Sequence, residues 1–217
     1  MTEPLLNLLQ RAAPLLPVVT LYHTRHALPL AEALLSGGCR VLEITLRTEA
    51  ALPSLQALSQ VPGLTVGAGT LVDTAQCHPL ADAGAAFAVS PGYSQNLADA
   101  TGAAGLPWLP GVATASEMMQ ARAQGYQCVK FFPATAMGGV TALQACAAVF
   151  PEMTFCPTGG INAENAAAFL ALPSVPCVGG SWVVPEHLIA EQDWSAITRL
   201  TQQAQRLSMV DNAGETA

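Results

Sequence analysis

The chain has 217 residues, room for one sizeable domain or two small ones, and only 11% of them are charged against about 25% in a typical globular domain. A formal net charge of −7 argues against nucleic acid or an anionic membrane as partner, and no apolar run approaches the ~18 residues of a membrane span. A small phosphorylated ligand stays open, because backbone amides bind phosphate without a basic patch.

The segment from residue 3 to 12 reads as a short amphipathic helix; with Glu3 and no cationic start, residues 1–10 are not expected to be a secretory signal. Beyond it, short β-like runs alternate with alanine- and leucine-rich helical stretches. The expected strands are Pro17–Leu21, Arg40–Leu46, Thr65–Thr70, Ala86–Pro91, Trp108–Val112, Cys128–Pro133, Thr154–Thr158 and Val175–Gly179. The expected helices lie near 24–37, 49–60, 74–84, 95–104, 114–125, 139–149, 162–172 and 185–207. Strand followed by helix, eight times over, predicts an α/β fold with a parallel sheet, a small (β/α)8 barrel preceded by the short helix. An open doubly wound sheet is the alternative, although no G-x-G-x-x-G follows the first strand. Residues 1–207 read as one domain, and residues 208–217 as a flexible C-terminal tail.

Six cysteines without any C-x-x-C pair read as reduced, mostly buried thiols of a cytoplasmic protein. His23, His26, His78 and His187 do not converge in sequence on a metal site, and the H-T-R-H run from His23 to His26 reads as a surface helix start. Trp182 and Trp194 read as packing.

The sixth expected strand holds the only lysine of the chain, Lys130, inside the apolar run from Cys128 to Pro133. Burying a cation without a partner is costly, which favours the neutral amine, and a neutral amine in a pocket is the nucleophile that forms Schiff bases with carbonyl compounds. Side chains alternate across a strand, so Cys128, Lys130 and Phe132 share one face. In the second strand Glu43, Thr45 and Arg47 share a face, opposite Leu42, Ile44 and Leu46. The apolar set packs on helices and the polar set points into the barrel toward Lys130. Two readings remain at this point: structural Glu–Arg and Lys–Glu pairs, or an amine nucleophile, a carboxylate acid/base and a guanidinium clamp for a substrate carboxylate. Gly159-Gly160 and Gly179-Gly180-Ser181 follow the last two strands, where barrels often bind phosphate through backbone N–H groups.

These segments resemble the 2-keto-3-deoxy-6-phosphogluconate aldolase family, class I aldolases of the Entner–Doudoroff pathway that often also act on 4-hydroxy-2-oxoglutarate. The resemblance is carried by residues 41–48, 66–70, 90–92, 130–134, 155–161 and 179–182, in order along residues 14 to 207. It implies a homotrimeric barrel that reversibly cleaves 2-dehydro-3-deoxy-6-phospho-D-gluconate to pyruvate and D-glyceraldehyde 3-phosphate, without cofactor or metal. It places Lys130 on the Schiff-base lysine and Glu43 on the general acid/base. Arg47 and Thr70 fall on the residues that hold the substrate carboxylate, with Pro91 lining the same end. Thr158 falls on a position tied to stereochemistry at C4, and Gly159, Gly160, Gly180 and Ser181 fall on the phosphate site. Some relatives carry a basic residue at the end of the first strand, where this chain reads Val18-Val19-Thr20-Leu21. The alternatives are the phosphogalactonate epimer as substrate, or a non-catalytic phosphosugar-binding barrel.

Overall fold

The computed structural model describes residues 3–208. Of the expected tail at 208–217, all but Ser208 lies outside the described residues, and Ser208 ends a short 3-10 turn from Arg206. Strands β1 (Leu15–Val19), β2 (Val41–Thr45), β3 (Thr65–Gly69), β4 (Ala88–Val89) and β5 (Trp108–Leu109) are followed by β6 (Gly111–Val112), β7 (Cys128–Phe131), β8 (Thr154–Pro157) and β9 (Val178–Gly180). All pairings are parallel. They form one ladder in the order β5-β4-β3-β2-β1-β9 and a second in the order β6-β7-β8.

The fold is thus an α/β architecture around a curled parallel sheet, in two ladders where a single continuous barrel sheet was expected. One interruption falls at Pro110, between β5 and β6. Proline has no N–H to give the ladder, although its carbonyl still accepts from Lys130 N at 2.8 Å. Between β8 and β9 there is one parallel bridge, Thr158 to Gly179.

The helices alternate with the strands: α1 (Glu3–Ala12), α2 (Ala27–Ser36), α3 (Ala51–Leu58), α4 (Cys77–Asp82), α5 (Gln95–Ala103), α6 (Ala115–Ala123), α7 (Gly139–Val149), α8 (Ala166–Leu170), α9 (Glu186–Glu191) and α10 (Trp194–Gln205). Local chemistry sets several of their starts. Thr114 and Glu117 form a reciprocal capping box on α6, and the Asp193 carboxylate accepts from Ala196 N at the start of α10. The helical stretch expected over 185–207 is two helices, because Gln192 turns into the left-handed region (φ 57°) before Asp193 starts the second. β1 lies two residues earlier than expected. Leu15, Leu16 and Pro17 pair with Val178, Gly179 and Gly180, which leaves Thr20 and Leu21 beyond the ladder.

Strand alternation separates two apolar layers. Leu42, Ile44, Val129, Phe131 and Phe155 face outward into the layer shared with the helices, together with half-buried Trp182 and Trp194. Val41, Val89, Leu109, Cys128 and Cys156 face into the curl and meet Phe87, Cys177 and the apolar face of α1. Leu5, Leu8, Leu9 and Ala12 of that helix are buried and close the end of the interior opposite the strand C-termini. The surface placement expected for His26 is corrected: it opens α2 but is buried, its ring 5.9 Å from that of Trp194 in α10. Burial, the Arg25 charge and then the His23 charge push its pKa down.

Because Leu9 is fully buried in this plug, Leu9→Ala is expected to cost about 2–5 kcal/mol, read as a lower urea midpoint. A midpoint equal to that of the unaltered chain would show that α1 does not plug the interior.

Candidate active site

The inward-facing residues of β2 and β7 meet. Lys130 Nζ lies 3.4 Å from Glu43 Oε1, and the two residues are 6% and 1% exposed. The lysine is therefore buried, as expected from its strand, yet it is not an isolated cation: its charge is matched across the interior by a carboxylate. Lys130 Nζ also sits 5.4 Å from the ring centre of Phe132, at the distance of a cation–π contact.

Room for the pair comes from glycines on neighbouring strands. Glu43 is flanked in register by Val18 and Gly67, and Thr45 by Gly69. A methyl at Gly69 would overlap the Glu43 carboxylate, and one at Gly67 would overlap the Phe87 ring. On the other side Lys130 is flanked in register by Gly111 and Cys156. A methyl at Gly111 would run into the carbonyl of Pro91, so Pro91 presents its backbone beside the lysine strand. Ser90 holds that turn: its buried hydroxyl donates to Gly92 O at 2.7 Å and accepts from Trp108 Nε1 at 3.1 Å and Gly111 N at 3.3 Å. Thr70, directly after Gly69, is half-buried and takes a left-handed backbone (φ 62°), a conformation a β-branched residue adopts only under constraint.

Above the pair, at the C-terminal ends of the strands, lies a cavity of about 240 Å³. Its walls bring together Arg47, Thr158, Gly159, Gly160, Gly180 and Ser181 from three separate segments, with Phe132, Thr20 and Glu186. Lys130, Glu43, Thr70 and Pro91 do not contribute to these walls. The Phe132 ring does, so the amine stands one aromatic ring from the cavity. Arg47 lines the same cavity as the glycine loops. Gly159 and Gly160 both have positive φ (99° and 75°), and the turn is pinned where Thr135 N donates to Gly159 O and Asn165 Nδ2 donates to Gly160 O, each at 3.0 Å. Thr158 is buried beside Gly179, where a methyl would overlap its hydroxyl.

Four contributors were given no role in the sequence. Phe132 was placed on the inward face without a role. Thr20 donates or accepts a 2.8 Å bond with Thr45, so the ends of β1 and β2 are tied at the cavity floor. Ser90 fell within the 90–92 segment but without a role of its own, since a serine before Pro-Gly reads as a turn, and Glu186 gave no signal, since a glutamate after proline reads as a helix start. Among the described residues, no group of three His, Cys, Asp or Glu side chains is placed to hold a metal ion.

The fold and site define a class: a parallel α/β protein whose buried amine and carboxylate lie beneath a glycine-rimmed cavity at the strand C-termini. Comparison with known proteins gives the family. The model for KDPG and KHG aldolases matches residues 6–200, and the chain belongs to this family. A 2-dehydro-3-deoxy-phosphogluconate aldolase of Pseudoalteromonas atlantica is 46% identical over 88% of this chain and 89% of its own. A KHG/KDPG aldolase of Escherichia coli is also 46% identical, over 88% and 90%. The crystal structure of a KDPG aldolase from Legionella pneumophila, which captured pyruvate as a covalent carbinolamine, superposes with a TM-score of 0.87 at 47% identity, covering 90% of this chain and 96% of that one.

The cysteines offer no competing nucleophile. Five are buried and Cys146 is half-buried, and all six are free thiols. Burial pushes Cys39 up to about 12 and Cys128 up to about 11. Cys177 is raised by its contact with Cys156, 3.8 Å away, and by burial. A thiol reagent added to the folded protein at pH 8 is expected to reach Cys146 first and the five buried cysteines only after unfolding. Fast modification of Cys128, mapped by peptide mass, would contradict this reading of the interior.

Proposed function

We propose that this chain is a class I aldolase that reversibly cleaves 2-dehydro-3-deoxy-6-phospho-D-gluconate to pyruvate and D-glyceraldehyde 3-phosphate. One observation carries the reading: the sole lysine of the chain faces inward, buried, within 3.4 Å of a carboxylate. Buried ion pairs are poor stabilising devices, so their retention in an apolar interior is better explained by chemistry. The names of the relatives support the substrate, and the carbinolamine in the Legionella enzyme supports a covalent amine mechanism.

Proton transfer from Lys130 to Glu43 frees the amine, which attacks the C2 ketone. Protonated Glu43 gives that proton to the carbinolamine hydroxyl, which leaves as water; Glu43 is again a carboxylate, and the iminium formed acts as electron sink. Glu43, acting as base, removes the C4 hydroxyl proton; the C3–C4 bond breaks and its electrons move into the iminium. The enamine is then protonated at C3, and hydrolysis releases pyruvate and regenerates the amine. Arg47 and Thr70 bind the carboxylate, with Pro91 at the same end. The backbone of Gly159, Gly160 and Gly180 and the Ser181 hydroxyl bind the phosphate, and Thr158 selects the configuration at C4. Fixing both substrate ends orients the bond to be broken.

A second substrate, 4-hydroxy-2-oxoglutarate, giving pyruvate and glyoxylate, is favoured by the dual name of the Escherichia coli relative. We further propose that the two ladders act as one closed eight-stranded barrel. In it β5 and β6 are one strand bent at Pro110, and the Thr158–Gly179 bridge joins β8 to β9. The enzyme would work in the cytoplasm as a homotrimer; exposed apolar side chains such as Leu52 and Val72 support an oligomer.

Pyruvate plus borohydride tests the mechanism directly. The expected result is one reduced adduct, which can sit only on Lys130 or the N-terminal amine, and a peptide map places it on Lys130. Lys130→Ala should abolish both adduct and turnover, and Glu43→Gln should slow turnover by about 10²–10⁴. Full activity in Lys130→Ala would sink the proposal.

A further inference from the structure

The walls of the 240 Å³ cavity contain two ionisable side chains, Arg47 and Glu186. The end built from Gly159, Gly160, Gly180 and Ser181 has backbone and hydroxyl donors but no lysine or arginine beyond Arg47. Glu186 stands at that same end. Val184 N donates to Ser181 O at 3.0 Å, and this turn carries the chain back so that residues 184–186 wall the cavity alongside Ser181. Glu186 is exposed and also walls a second cavity of about 170 Å³, which shares Thr20 with the first and adds Tyr22, His23 and Arg25. The Tyr22 hydroxyl donates to Glu186 Oε1 at 3.5 Å across this partition. Tyr22 and Arg25 line the second cavity and not the first, and Glu186 is the one carboxylate on the walls of the first.

We propose that Glu186 is a specificity-determining residue: its carboxylate, held by Tyr22 at the border between the two cavities, weakens this enzyme's preference for phosphorylated over unphosphorylated acids. A dianionic phosphate seated on the glycine loops meets a like charge across a solvated chamber, whereas a terminal hydroxyl does not. In a water-rich setting such an interaction changes affinity about three- to tenfold and shrinks as salt is added. The inference rests on reading the glycine loops as the phosphate end.

The test compares cleavage of 2-dehydro-3-deoxy-6-phosphogluconate with cleavage of the same acid lacking the phosphate. Glu186→Gln is expected to raise the kcat/KM ratio in favour of the phosphorylated substrate about three- to tenfold, mainly through its KM, and Glu186→Lys is expected to raise it further. A ratio unchanged in both variants, or a shift that does not shrink with salt, overturns the proposal. Calorimetric titration with glycerol 3-phosphate gives a readout without turnover. The expected result is three- to tenfold tighter binding in Glu186→Gln, and equal affinity overturns the proposal. Lack of cleavage by the unaltered protein would refute the proposed reaction, while the calorimetric comparison would still decide the role of Glu186.

Discussion

The structure is organised around the cost of keeping a lysine and a glutamate out of water. A buried pair repays its desolvation only with close geometry, and removing one partner leaves an uncompensated charge. The backbone around Lys130 and Glu43 is correspondingly constrained. Gly69 leaves space for the Glu43 carboxylate, and Gly67 leaves space for the Phe87 ring. Gly111 lets the Pro91 backbone approach the lysine strand. The glycines in β3 and β6 weaken those strands as strands, and what they gain is a shaped interior at one level of the curl. The α1 plug completes the enclosure from the opposite end, so apolar side chains lie below the pair.

This constraint explains which parts were legible in the sequence. Lys130 and Glu43 could be placed facing each other because a period of two, combined with apolar neighbours, leaves one side for each. The outward positions of Leu42, Ile44, Val129 and Phe131 follow from the same rule. The order of strands and helices was legible for a related reason, since each strand carries an apolar run and each helix a run of strong helix formers. The interruption at Pro110 was visible as a residue but not as a break, because proline is tolerated in a strand when only its carbonyl is needed.

What could not be read depends on contacts between distant segments. His26 reads as exposed because its own surroundings are polar, and its burial comes from Trp194, far along the chain and in the last helix. Ser90 reads as an ordinary turn serine until Trp108 and Gly111 are found donating to it. That Arg47 lines the same cavity as the glycine loops was hidden for the same reason. Strand order says which end of the curl a residue occupies but not which neighbours its long side chain reaches.

The scarcity of charge has a consequence for specificity. In a cavity rich in lysine and arginine, one glutamate would be one contribution among many. Here the chamber holds one arginine and one glutamate, and the glycine loops offer only dipoles. Dipoles fall off faster with distance than charges, so they fix where an anion sits but contribute less to how strongly it is drawn in. Under the proposed function the distal end would select ligands by the fit of a backbone turn, held by Thr135 and Asn165, and Glu186 would add a solvent-facing charge to it. An exposed residue can vary without disturbing the buried pair, so under the proposed mechanism substrate preference at the far end would be free to change while the reaction at the lysine stayed fixed.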